Sequence, residues 1–140
     1  MYKVLVPLDL DEQRARTQAE FVASLPDAAS SVEVTLLFVF GEDDEELPDE
    51  LKRFKSVERI GSVRRCSERL DEVGVTYSIM DESGDPADII TNTAEDLAPD
   101  MIVLGGRKRS PIGKAIFGSV AQSVILNSDH PVVVTGTRVE

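Results

Sequence analysis

Five short apolar runs recur along this chain, separated by segments with helical spacing, and that alternation limits the fold more than any single residue does. VLV at 4–6 is β-branched and is stopped by Pro7 and Asp9, which predicts a short buried strand. VEVTLLFVF at 32–40 predicts a second strand, and its unbroken apolar second half suits one covered on both faces. VTYSIM at 75–80, MIVLGG at 101–106 and PVVVTG at 131–136 supply the third, fourth and fifth. Between the first two, Asp11 caps a helix whose inward positions are Ala15, Ala19, Val22 and Leu25, ended by Pro26.

The acidic run Glu42 to Glu46 predicts a solvated connection into a helix from about Pro48 to Val73, with Leu51, Phe54, Val57, Ile60, Leu70 and Val73 at near-helical spacing. Cys66 falls on this helix as a core or half-buried thiol, and Gly74 ends it. Gly84, Asp85 and Pro86 read as turn, N-cap and first residue of a helix to about Leu97. Asp85 and Asp88 are therefore assigned to capping and the helix dipole rather than to catalysis. A last helix is expected over 119–127. Such alternation in 140 residues predicts a single α/β domain over 1–140, an open parallel five-stranded sheet with helices on both faces and right-handed crossovers.

Counting narrows the chemistry. One cysteine and one histidine, His130, exclude an internal disulfide framework and a zinc site built from several Cys and His. MYKVLVPLDL does not fit a cleavable signal peptide and no run approaches membrane-spanning length, so a cytoplasmic protein is expected. A net charge of −11 argues against nucleic acid or an anionic membrane as a partner. Arg outnumbers Lys 10 to 5 and the acidic residues are spread along the chain, a mix that suits either a halophile's high-salt cytoplasm or an ordinary acidic protein.

One stretch breaks the acidic pattern. Between Asp100 and Asp129 there is no carboxylate, while Arg107, Lys108, Arg109 and Lys114 all lie inside; removing this +4 segment from a chain of −11 leaves −15. The stretch GGRKRSPIGKAIFGSV follows the end of a central strand, where open α/β sheets bind ligands, and leads into a helix N-terminus. Gly105, Gly106, Gly113 and Gly118 would let backbone amides approach phosphate oxygens. A second reading needs no ligand: Ser119 and Gln122 have the spacing of a capping box, and a basic glycine-rich turn is also simply soluble. No GxGxxG follows the first strand, and residues 108–115 miss the P-loop pattern at Lys108 and Ala115.

Over nearly its full length the chain resembles the universal stress protein family: VPLD closing the first strand, LLFVF in the second, GDPADII opening the third helix, and GGRKRSPIGKAIFGSVAQSVILNSDHPVVV. The resemblance implies a flavodoxin-like sandwich of strand order 3-2-1-4-5, usually dimeric, with ATP bound by some members and not by others. ATP-binding members carry G-x-x-G, nine residues, then G-S or G-T. This chain has Gly105, then Lys108 in place of the second glycine, then nine residues to Gly118 and Ser119. By the resemblance Asp9 and the Val39 backbone lie at the adenosine end, and Gly105, Gly118, Ser119 and Val120 at the phosphates. The implied nucleotide-binding set is Pro7, Asp9, Val39, Gly105, Gly106, Lys108, Gly118, Ser119 and Val120. The implied ligand is ATP or AMP; the Asp9 carboxylate suits a ribose hydroxyl or a Mg²⁺ carried by the phosphates, and equally a simple cap of the loop at the strand end. At position 108 two readings stand: a side chain there obstructs the loop or forces another path, or, as preferred, an ammonium flanked by Arg107 and Arg109 replaces lost amide contacts with charge.

Catalysis needs a placed base, nucleophile or metal. His130 precedes Pro131 at the opposite end of the fifth strand, and a lone Asp9 is not a mechanism, so a stress or signalling module rather than a dedicated enzyme is expected. The alternatives are a dimeric interaction module that binds no nucleotide and a slow ATP hydrolase. The apolar PVVVTG edge predicts a homodimer paired through the fifth strand.

Overall fold

The computed structural model describes residues 1–41, 57–108 and 118–137. Strand β1 (Tyr2–Leu8) lies at the middle of the sheet because every side chain from Val4 to Leu8 is apolar and all are buried. Around it run α1 (Glu12–Ala23), α2 (Ala28–Ser31), β2 (Val32–Phe40), a 3₁₀ turn (Val57–Arg59), α3 (Gly61–Val73), β3 (Thr76–Ser83), α4 (Pro86–Leu97), β4 (Met101–Lys108), α5 (Ser119–Asn127) and β5 (Val132–Thr137). The strands form one sheet of order β3-β2-β1-β4-β5, parallel at every pairing.

The period-2 alternation of β2 divides the core. Val34, Leu36, Phe38 and Phe40 point to one face and pack with Ala15, Ala19 and Val22 of α1 and Val63, Cys66 and Leu70 of α3. Leu37 points to the other, with Leu5, Ile102 and Leu104 from the sheet, Ile90 and Ala94 from α4, and Ala121 and Val124 from α5. Both faces of the sheet are thus covered, which is why the second half of β2 is an unbroken apolar run. No described helix is long and apolar enough to cross a membrane.

The expected caps form where side-chain chemistry dictates them. Asp11 accepts from the Arg14 amide at 2.9 Å, and Asp85 accepts from the Asp88 amide at 3.1 Å with Pro86 in the first turn. Gly74 closes α3 in the left-handed region at φ 76°.

Three expectations change. Strand β1 runs through Pro7 to Leu8 rather than stopping at Pro7. The helix expected from Pro48 to Val73 is interrupted: residues 48–56 lie outside the described residues, and a 3₁₀ turn gives way at extended Ile60 (φ −70°, ψ 128°) to a helix starting at Gly61. Glycine is a poor helix-interior residue, and this one sits where a Cβ would come within 2.9 Å of Glu12 Cδ on α1. The short α2 was not foreseen; it begins after Asp27 takes a left-handed conformation at φ 54°.

Cys66 is only 1% exposed, and burial pushes its thiol from an ordinary 9.0 up to about 12. The native protein is therefore expected to resist a thiol reagent at pH 8 and to react once unfolded. Because the folded value is the higher one, this group's contribution to stability is present below pH 9 and is lost as pH rises toward 12. Stoichiometric labelling of the native protein at pH 8, measured by mass, would refute this.

Candidate functional site

Strands β1 and β4 are neighbours, yet the helix after β1 packs on one face of the sheet and the helix after β4 on the other. A crevice must open where the chain departs in opposite directions, at the C-terminal ends of these two strands. The pairing shows it: β1 stays in register with β2 as far as Leu8↔Phe38, but with β4 only at Val4↔Met101 and Leu5↔Ile102.

Pro7 explains where the ladder ends. In a parallel ladder continued two residues further, residue 7 would stand opposite residue 104 and donate its amide to the Val103 carbonyl. Proline has no amide hydrogen to give. The side chain of Gln18, 2% exposed on α1, takes that place: its Nε2 donates to Pro7 O at 2.7 Å and to Val103 O at 3.0 Å. Two acceptors on one nitrogen also fix the orientation of the carboxamide.

Above this bridge lies a cleft of about 190 Å³, many times the ~10–15 Å³ that one water needs. Its walls include Pro7, Leu8 and Asp9 from the end of β1, Val39 from β2, Leu104 and Gly105 from β4, Pro86 and Ile90 from α4, and Gly118 to Ala121 at the start of α5, with Arg14 and Gln18 from α1. Seven of the nine predicted residues, Pro7, Asp9, Val39, Gly105, Gly118, Ser119 and Val120, line this one space. Gly106 does not: a Cβ on it would meet the Thr135 carbonyl of β5, so it faces the neighbouring strand. Lys108 lies on β4, paired with Thr137, but its side chain falls outside the described residues, as does all of 109–117.

The carboxylate of Asp9 is already engaged. Its Oδ1 accepts from the Asp11 amide at 2.9 Å, and its Oδ2 takes Arg14 Nε at 3.0 Å and Nη2 at 2.9 Å. Ser62 donates to its backbone carbonyl, tying the β1 end to α3. Asp9 and Arg14 are the charged residues among the described walls, and they neutralise one another.

Helix α5 starts differently from the expected capping box. Its N-cap is Gly118, which has no side chain to cap with; Ser119 is the first helical residue. The first helical amides, whose partners would lie before the helix, are thus left without the Ser119 side chain as acceptor, at the wall of the cleft. His130 is at the other end, its Nδ1 3.1 Å from Pro99 O, as its place before β5 implied.

Spacing missed Arg14, Gln18, Leu8, Pro86, Ile90, Leu104 and Ala121. For Gln18 there was a signal: a polar residue sits between Ala15, Ala19 and Val22 on the inward face of α1.

A model of the universal stress protein family matches residues 1–136. The universal stress protein MJ0577 of Methanocaldococcus jannaschii is 30% identical over 90 residues, 64% of this chain, and the match spans only 56% of that relative's length. The solved structure of hypothetical protein MJ0577 superposes with a TM-score of 0.76 at 28% identity, covering 100% of this chain and 99% of the other. The universal stress protein of Archaeoglobus fulgidus in complex with dAMP has a TM-score of 0.69 at 20% identity, over 96% of this chain and 98% of the other. A family protein from Arabidopsis thaliana with AMP bound has a TM-score of 0.70 at 17% identity, over 99% and 93%. With these last two, what is shared is the fold.

Proposed function

The chain belongs to the universal stress protein family, and from that premise we propose that its cleft binds an adenine nucleotide, AMP or ATP, as a stress or signalling module. One observation carries the reading: residues from four separate stretches, named for this role from the sequence, come together in one cleft at the switch point of the sheet. Neighbours of the same fold hold dAMP and AMP, which supports the same ligand class here.

The chemistry is consistent from end to end. Pro7, Ile90 and Leu104 offer apolar surface to a base, and the Val39 backbone offers it hydrogen bonds. The amides of Ser119 and Val120, at the positive end of the α5 dipole, favour phosphate. Arg107, Lys108 and Arg109 would add charge for a longer phosphate chain. Mg²⁺ would be carried largely by the phosphates, because Asp9 is the one carboxylate among the described walls and Arg14 already holds it. The proposed role is binding rather than turnover. As a working unit we propose a homodimer through β5, the edge strand, which sedimentation can test.

Calorimetric titration with ATP, AMP and a cyclic nucleotide, with Mg²⁺ and at moderate and high salt, is the test. Micromolar ATP binding is expected, weakened about tenfold, or about 1.4 kcal/mol, by Lys108→Glu. No heat with any nucleotide from folded protein would overturn the reading and favour an interaction module. Turnover above background that Asp9→Ala abolishes would make the protein a hydrolase instead.

A further inference from the structure

The bridge at the base of the cleft is built from a residue that belongs to no phosphate motif. Gln18 spans the two carbonyls, Pro7 O and Val103 O, that face each other where β1 and β4 part. Pro7 lines the cleft, Val103 directly precedes its lining residues Leu104 and Gly105, and Gln18 borders the cleft as well. Its carboxamide oxygen points at β4, within 3.0 Å of where a Cβ on Gly105 would stand. A shorter or apolar side chain would leave two buried carbonyls without a donor.

We infer that Gln18 is a positioning residue, a clasp that sets the separation of β1 and β4 and hence the width of the ligand cleft. The fold alone would be served by an ordinary residue at position 7 and an unbroken ladder; Pro7 opens the ladder and Gln18 holds the opening at a fixed span. A glycine at 105 then serves the clasp whether or not phosphate is present, since any Cβ there would press on Gln18 Oε1. The effect on ligand rests on the nucleotide reading above; the clasp itself does not.

Two variants test it. Gln18→Met keeps length and apolar bulk but removes both donors. It is expected to weaken AMP binding about tenfold in conditions where the variant remains folded by circular dichroism, whereas a purely structural role would lower the unfolding midpoint and leave the affinity of the folded protein unchanged. Gln18→Glu places a carboxyl against two carbonyl oxygens in a buried site, which favours the protonated form and raises its pKa. Among the described residues Arg14 is the cation beside it, already paired with Asp9 and 3.6 Å from Asp11, so it offsets this only in part. One donor is then restored at low pH and lost as pH rises. Stability and AMP affinity of Gln18→Glu, each relative to wild type at the same pH, are expected to fall between pH 5 and 8.

If wild type binds no AMP, the nucleotide reading fails, while the pH profile of Gln18→Glu stability still decides the clasp. Equal AMP affinity of folded Gln18→Met and wild type, or a flat Gln18→Glu profile, would overturn it.

Discussion

Gly106→Ala is expected to destabilise the protein by about 3 kcal/mol or more, the upper end for overpacking, because the obstacle is backbone. A Cβ at this position would lie 2.3 Å from the Thr135 carbonyl oxygen and 3.2 Å from Val134 Cγ1. No rotamer change removes a carbonyl, so β4 and β5 must move apart. Parting them also strains a tie between them, since Thr135 Oγ1 donates to Leu104 O at 3.2 Å across the same junction. Gly105→Ala is the control. There a Cβ would meet side-chain atoms only, Gln18 Oε1 at 3.0 Å and Arg14 Cβ and Cδ at 3.2 and 3.3 Å, so the strands can stay where they are. Its loss is expected near 1 kcal/mol, with the larger effect on ligand affinity. Urea unfolding of both variants decides the matter. A Gly106→Ala loss smaller than that of Gly105→Ala would show that the β4–β5 junction is not the rigid element.

Leu37→Ala is expected to cost about 2–5 kcal/mol, the range for deleting a buried leucine side chain. Leu37 is 0% exposed and packs with Leu5, Ile102 and Leu104 under Ile90, Ala94 and Val124. This cluster seats α4 and α5, and the start of α5 is a wall of the cleft. Leu36, one residue earlier and also 0% exposed, faces the opposite cluster beneath α1 and α3. Leu36→Ala should lose comparable stability, whereas Leu37→Ala should in addition raise amide exchange in α5 relative to α3. Equal exchange in the two helices for both variants would mean that the faces do not respond separately.

Much of the molecule is legible in the residue order. The five strand runs, the caps at Asp11 and Asp85 and the break at Gly74 are local: each depends on the chemistry of a few consecutive residues; the caps and the break appear where that chemistry placed them, while β1, β3 and β4 run two or three residues past the expected ends. The strand order came from family resemblance and agrees with the sheet. Local reasoning failed where a distant partner intervenes. Helical spacing ran through Ile60 and Gly61, but the chain is extended at Ile60 and the helix restarts at Gly61, beside the Glu12 side chain of another helix. Ser119 had the spacing of a cap, yet the chain enters α5 through Gly118.

What the residue order determined by itself was the alternation of elements and the gathering of cation and glycine from the end of the fourth strand onward, since periodicity and charge are properties of neighbours in the chain. What only the tertiary structure decided was the inside of the cleft. Asp9 is held by Arg14, a Cβ on Gly106 would meet the Thr135 carbonyl, and Gln18 reaches from a helix to carbonyls on two strands, one of them 85 residues away. A hydrogen bond across that separation leaves no periodic mark, because its partners are set by how the sheet and helices pack and not by the spacing of the residues.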